Sequence, residues 1–207
     1  MIPERFRPVL DEARPLAQRF VGAGHAVYLV GGLVRDLLAD RPIRPDLDID
    51  LTTDARPDQI RAVLDGWADA VWAQGERFGT IGARRGDRSF EITTHRSEVY
   101  QSDSRKPAVV FSDSIERDLS RRDFTVNAMA LGLPEPRLID PFDGVTDLLA
   151  GRLRTPLAPE ESFLDDPLRM LRAARFIAGH GLEPDPAVVD AVVAMRERLS
   201  IVSAERI

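Results

Sequence analysis

Cysteine is absent from this 207-residue chain. That excludes disulfide scaffolds, thiolate-ligated zinc, iron–sulfur clusters and thiol nucleophiles. Histidine occurs only at 25, 95 and 180, too scattered for a His-rich metal site or a Ser/His triad. No apolar run approaches the roughly 18 residues that a membrane span needs. The amino terminus, MIPERFRPVL, carries charges where a signal peptide has its apolar core. Positive charge is not in surplus either. The formal net charge is -6 and no segment forms a basic arm, so a polynucleotide partner would have to be met by a local patch against a mildly repulsive field. What is present, 43% hydrophobic and 30% charged residues, is the balance of a globular protein of one or two domains. A cytoplasmic location without membrane association is expected.

Hydrophobic spacing predicts a helix over 4–21, stopped by Gly22 and Gly24. A short buried strand follows at 26–30, then a Gly31-Gly32 turn and a helix over 33–39. Alternation predicts a half-buried strand over 47–53, and a helix is expected at 57–64. Strands are expected at 71–73, 79–84 and 89–94, the last two joined as a hairpin by Arg85-Gly86-Asp87, and one more at 137–140. Residues 97–112 have few apolar positions and a Ser/Asp/Arg/Lys/Pro cluster, and read as a mobile loop. From about Glu160 the pattern is helical, with Leu168, Leu171 and Phe176 expected on a buried side. The expected division is a mixed α/β part over 1–150 and an all-helical part over 151–207. Ser203–Ile207 opens a helical pattern that nothing closes, so the chain is expected to be part of a longer protein.

Four constellations carry chemistry. Gly31-Gly32 between a strand and a helix lets the backbone approach a ligand, and the helix start with Arg35 suits phosphate. An ordinary glycine turn with a surface arginine would look the same. Asp48 and Asp50 alternate along one strand, so their carboxylates share a face. They repel each other unless cations lie between, and magnesium favours one or two carboxylates plus substrate phosphates. The bland alternative is a solvated strand edge. Glu91, in Phe90–Thr94, offers a third carboxylate from a neighbouring strand. In Arg121–Met129, Arg122 presents a fork for phosphate, and Asp123 and Asn127 suit ribose hydroxyls; a cationic turn with Asn127 capping a helix is the alternative. Asp166, Arg169, Arg172 and Arg175 recur every three residues on a helix led by Pro167, each stepped about 60° from the last. An adjacent Asp and Arg can read the edge of a base, with the other arginines facing triphosphate. Simple salt bridges at i,i+3 would give the same pattern.

The blocks LVGGLVRDLL (29–38), DLDIDLTTDARP (46–57), RRDFTVNAMAL (121–131), DPFDG (140–144) and DDPLRMLRAARF (165–176) occur in one order. In this the chain resembles the class II CCA-adding enzyme and bacterial poly(A) polymerase family of template-independent RNA nucleotidyltransferases. The resemblance implies an α+β fold: a nucleotidyltransferase head with a mixed β-sheet flanked by helices over 1–150, then an all-α neck over 151–207. It implies that Asp48 and Asp50 bind Mg2+, two ions in the family, with Glu91 as a third catalytic carboxylate. Gly31, Gly32 and Arg35 would meet nucleotide phosphate. Arg122, Asp123 and Asn127 would meet phosphate and ribose. Asp166 and Arg169 would serve as the amino-acid template for cytosine or adenine, with Arg172 and Arg175 on the triphosphate. The implied partners are CTP, ATP and the tRNA 3′ end. The family spelling Glu-Asp at the template block is Asp165-Asp166 here, which keeps Asp166. The family's further helical domains, which hold tRNA, have no counterpart in this sequence. A poly(A), CC-adding or A-adding polymerase shares every one of these motifs. A catalytically silent nucleotide- or RNA-binding module would not need carboxylates at 48, 50 and 91, and an antibiotic-modifying nucleotidyltransferase would not need the 166/169 helix.

Overall fold

A computed structural model of the chain describes residues 3–43, 47–75, 79–99 and 108–202. A 3-10 turn at Glu4–Phe6 leads into α1 (Arg7–Gly22), β1 (Val27–Val30), α2 (Gly32–Leu38), β2 (Ile49–Thr53) and α3 (Pro57–Leu64). Then come β3 (Ala70–Gly75), β4 (Thr80–Arg85), β5 (Arg88–Thr94), β6 (Arg96–Val99), β7 (Ala108–Phe111) and α4 (Ile115–Ser120). A 3-10 turn at Thr125–Asn127 precedes β8 (Ala130–Leu133), β9 (Arg137–Ile139), α5 (Gly144–Leu149) and β10 (Arg152–Leu153). The remainder is α6 (Pro159–Asp165), α7 (Leu168–His180), β11 (Glu183–Pro184), α8 (Pro186–Met195) and a 3-10 stretch at Arg196–Ile201.

Seven strands form one sheet in the order β3-β4-β5-β2-β1-β8-β9. Every pairing is antiparallel except β2 with β5, which makes the sheet mixed. The strands alternate, so Leu29, Leu51, Ile81, Ile92 and Leu131 project to one face. There they pack with Leu16, Phe20 and Ile60 of α1 and α3 in the main core. A smaller cluster of Val30, Ile115, Leu119, Ala128 and Ala130 lies on α4 and the segments around β8.

Two departures from the sequence expectations have clear causes. The stretch 97–112 is not all loop: β6 and β7 pair in register from Arg96↔Phe111 to Val99↔Ala108, and 100–107 falls outside the described residues. The first strand is mostly polar (RSEV) and the second wholly apolar (AVVF), so neither shows the alternation that marks a half-buried strand. The run Ala130–Leu133, assigned no element from the sequence, forms β8 beside β1; periodicity alone does not tell so short an apolar run from helix. Asn127 accordingly ends a 3-10 turn rather than capping a helix.

The block DPFDG is built into the fold. Asp140 accepts from the Gly144 and Val145 N–H groups at 2.7 and 2.9 Å, closing the start of α5. A Cβ on Gly144 would overlap the Thr125 carbonyl and crowd Met129. Among the described residues beyond 150 the regular elements are helical apart from the two-residue parallel pair of β10 and β11. Phe163, Met170, Val188 and Ala191 form a cluster of their own. Phe124, Val126, Leu153, Ala173 and Phe176 form another that joins α7 to the 121–131 segment. On α7 the buried residues are Arg169, Met170, Ala173 and Phe176, not Leu168 and Leu171, which are half-buried. Among the described residues no helix is long and apolar enough to cross a membrane.

His95 stands out in the core. It is buried, and neither ring nitrogen has a hydrogen-bond partner among the described residues. Burial pushes its pKa below 6.5, opposed by Asp118 and Asp54 and assisted by Arg122 and Arg121. Between the folded and unfolded pKa values the unfolded chain holds more protons, so the titration of this group leaves stability unchanged above 6.5 and progressively opposes folding as the pH drops below. Against the wild type, His95→Phe is expected to flatten the acid limb of a Tm-against-pH curve and to cost little stability at pH 8, since it removes two unpartnered polar atoms.

Candidate active site

The parallel pairing of β2 with β5 places Asp50 opposite Glu91, two residues 41 positions apart. Ile49 and Leu51 turn into the core while Asp50 faces the other side of the sheet. Asp48, just before β2, is exposed, and Glu91 is exposed on β5. The Asp50 carboxyl is pushed up to about 6, first by burial and then by Glu91, with Asp48 adding and Arg122 opposing. Both neighbouring carboxylates thus act on the Asp50 carboxyl.

Gly31 closes the same space. It has φ 75° and ψ -149°, a region open in practice only to glycine. A Cβ there would lie 3.4 Å from Asp50 Oδ2 and 3.7 Å from Arg122 Nη1. The glycine turn, the acidic strand and the arginine therefore converge on one point. Gly31→Ala is expected to strain the turn by about 1–3 kcal/mol, lowering Tm by several degrees, which thermal melts check.

Arg35 is placed differently from Arg122. It is 8% exposed, and its guanidinium donates to Asp36 at 2.9 and 3.0 Å and to Asn127 Oδ1 at 2.7 Å. It also lies over the Phe176 ring at 5.3 Å. Gly32 leaves room for that guanidinium, since a Cβ would stand 3.3 Å from Arg35 Nη2. Asn127 in turn donates to Asp123 Oδ1 at 3.0 Å. The other oxygen of Asp123 takes a two-pronged contact from Arg172, at 2.8 and 2.6 Å. A continuous chain of polar contacts thus runs from α2 through the 121–131 segment to α7.

The arginine ladder on α7 winds from core to solvent, as steps of about 60° require. Arg169 is buried and donates to Ser162 Oγ at 2.9 Å and to the Arg121 carbonyl at 2.5 Å. Arg172 is half-exposed and Arg175 is exposed. Asp166 is half-buried and accepts from the Leu168 N–H at 3.1 Å, starting the helix. Two neighbours escaped the sequence reading. Trp72 lies across Gly82, the register partner of Glu91, and a Cβ on Gly82 would overlap the indole. Asp118 grips Arg121 and Arg122 from below the site. Its spacing to the two arginines, i,i+3 and i,i+4 on a helix, is the signal that would have found it.

Among the described residues no three acidic or imidazole groups stand close enough to hold a metal ion alone. The pair Asp48/Asp50, with Glu91 alongside, still fits a hard divalent cation. It offers oxygen ligands whose mutual repulsion a cation relieves, and magnesium completes its shell with phosphate and water oxygens.

Residues 27–154 match the family described as the poly A polymerase head domain. The chain is 39% identical to the CCA-adding enzyme of Bacillus subtilis (strain 168) over 199 residues, 96% of this chain and 48% of that protein. It is 38% identical to the CCA-adding enzyme of Streptococcus suis (strain 05ZYH33) over 206 residues, 99% of this chain and 48% of that protein. The chain thus spans about half the length of the curated relatives it matches. Among solved structures it is similar to the Bacillus stearothermophilus CCA-adding enzyme in complex with CTP. That likeness has TM-score 0.82 and 34% identity, and covers 99% of this chain and 47% of that one.

Proposed function

Because this chain belongs to the class II CCA-adding enzyme and bacterial poly(A) polymerase family, we propose that it is the catalytic part of a tRNA nucleotidyltransferase that adds C and A to the 3′ end from CTP and ATP. The observation that carries this reading is the convergence of Asp50, Glu91, Gly31 and Arg122 at one point of the sheet. Relatives solved with CTP and with ATP support the choice of nucleotides.

In this reading the 3′ oxygen of the RNA bonds to the α-phosphorus of the triphosphate as the bridge to the β-phosphate breaks, and pyrophosphate leaves. Asp48 and Asp50, with Glu91 beside them, would hold magnesium, which when bound would supply acidification of the attacking hydroxyl and neutralisation of phosphate charge. Arg122 presents its guanidinium to the phosphates next to the glycine turn. Arg35 and Asn127 fix Asp123, which with Arg172 borders the ribose and triphosphate. Asp166 and Arg169 read the base edge by donor and acceptor complementarity. Positioning and charge do the work, and no covalent protein intermediate is needed.

Residues 1–150 serve as the catalytic head and 151–207 as the neck that recognises the base. The separate cluster of Phe163, Met170, Val188 and Ala191 supports that division. The protein acts in the cytoplasm, where its substrates are.

The deciding experiment supplies magnesium, each NTP separately and together, and a tRNA lacking its terminal nucleotides, and then sequences the product ends. Ordered C, C and A ends support the reading. Runs of A alone assign a poly(A) polymerase, and unchanged ends overturn the enzymatic reading.

A further inference from the structure

Asp118 is fully buried at the middle of α4, and four donors converge on it. Arg121 reaches Oδ1 through Nε at 3.2 Å and Nη2 at 2.6 Å. Arg122 Nη2 reaches Oδ2 at 3.0 Å. The backbone N–H of Arg96, the first residue of β6, reaches Oδ1 at 3.2 Å. Burial alone would push this carboxyl up. The charges of Arg121 and Arg122 and their hydrogen bonds overcome that and hold it well below the usual carboxylate range. It is therefore an anion whenever the protein is folded at neutral pH.

The arrangement couples three parts of the molecule. Arg122 uses Nη2 on Asp118, while its Nη1 points to the space between Gly31 and Asp50. Arg121 gives its side chain to Asp118 and its carbonyl to Arg169 of α7. Arg96 begins the β6–β7 ribbon. One carboxylate thus fixes the arginine beside the acidic strand, the carbonyl that orients the arginine of α7, and the root of the ribbon. An arginine held at one nitrogen by a buried anion presents the other in a set direction, which a flexible side chain would not do.

We propose that Asp118 is a positioning residue for triphosphate binding, which aims the Arg122 guanidinium at the nucleotide and ties that aim to the base of the β6–β7 ribbon. This rests on the nucleotidyltransferase reading given above. Asp118 touches no substrate and acts through Arg122.

The test is a double-mutant cycle with Asp118→Asn and Arg122→Gln in the full chain, read by calorimetric titration with CTP and magnesium, with thermal melts alongside. Asp118→Asn keeps the shape and one acceptor, so the variant folds more readily than Asp118→Ala. The expected result is CTP binding about tenfold or more weaker in each single variant, with the double variant no worse than Arg122→Gln. Hydrogen exchange at the Arg96 amide should also speed up in Asp118→Asn. Wild-type protein that binds CTP alongside an Asp118→Asn variant that binds equally well overturns this proposal alone. Fully additive losses overturn it too, since Asp118 would then act independently of Arg122. A wild type that binds no CTP overturns the nucleotidyltransferase reading and this proposal together. If Asp118→Asn does not fold, Arg122→Gln with and without Arg96→Pro, which removes the donated amide, repeats the cycle on the ribbon limb. Additive losses there overturn the coupling.

Discussion

Asp50→Asn is expected to reduce nucleotide incorporation by roughly a thousandfold or more under the proposed function, because the metal that Asp50 would hold there would supply several kcal/mol of transition-state charge stabilisation. The fold should survive. Asp50 is ionised only against the opposition of its burial and of Glu91 and Asp48, so removing its charge leaves Tm unchanged or higher. The same repulsion predicts that magnesium raises the wild-type Tm at pH 8, and that the increment disappears in the variant. At pH 5 the carboxyl, with its pKa raised to about 6, is mostly protonated and the increment should shrink. Labelled CTP and thermal melts check both halves. A well-folded variant that still incorporates CTP at the wild-type rate ends the assignment of Asp50.

Under the proposed function, Arg169→Ala should reduce the ratio of kcat/KM for CTP over ATP by roughly ten- to a hundredfold, since losing the proposed hydrogen bonds to the base edge would cost about 1–3 kcal/mol of discrimination. Stability should fall as well. The guanidinium is 8% exposed and satisfies Ser162 and the Arg121 carbonyl, which lose their donor on truncation. Arg169→Lys separates the two effects: it keeps a charge for the carbonyl but loses the planar fork. Selection should collapse in both variants, and Tm should fall further in the alanine one. Competition between CTP and ATP on one RNA end is the measurement. An unchanged preference removes Arg169 from the template role.

Local signals made much of the fold legible in the sequence. The hairpin between β4 and β5 announces itself through Gly86 and alternation on either side, and α3 begins at Pro57 and ends at Leu64 as its spacing requires. A neighbouring strand for Glu91 is expected from the sequence, but the parallel sense and register of the β2–β5 pairing are not legible, because nothing local records how strands align across an inserted helix and hairpin. Yet that pairing is what puts Glu91 beside Asp50. Asp48, Asp50 and Arg122 were visible as residue types at telling intervals. The engagement of Arg35 with Asp36 and Asn127 was not, since a sequence shows an arginine near a turn but not which way it turns. The burial of Arg169 was also hidden, because charged residues are ordinarily read as solvent-facing and only its partners make the interior tolerable.

The order in which the sheet is wound has a kinetic consequence. The acidic cluster is completed only when the strand carrying Glu91 slots in alongside the one carrying Asp50, after the chain has looped out through a helix and two further strands. Closing so long a loop before any reward arrives is slow. On dilution from denaturant, recovery of catalysis should therefore lag behind recovery of helical signal. A nascent chain cut short before the fifth strand would carry the aspartates and the glycine turn yet remain inert.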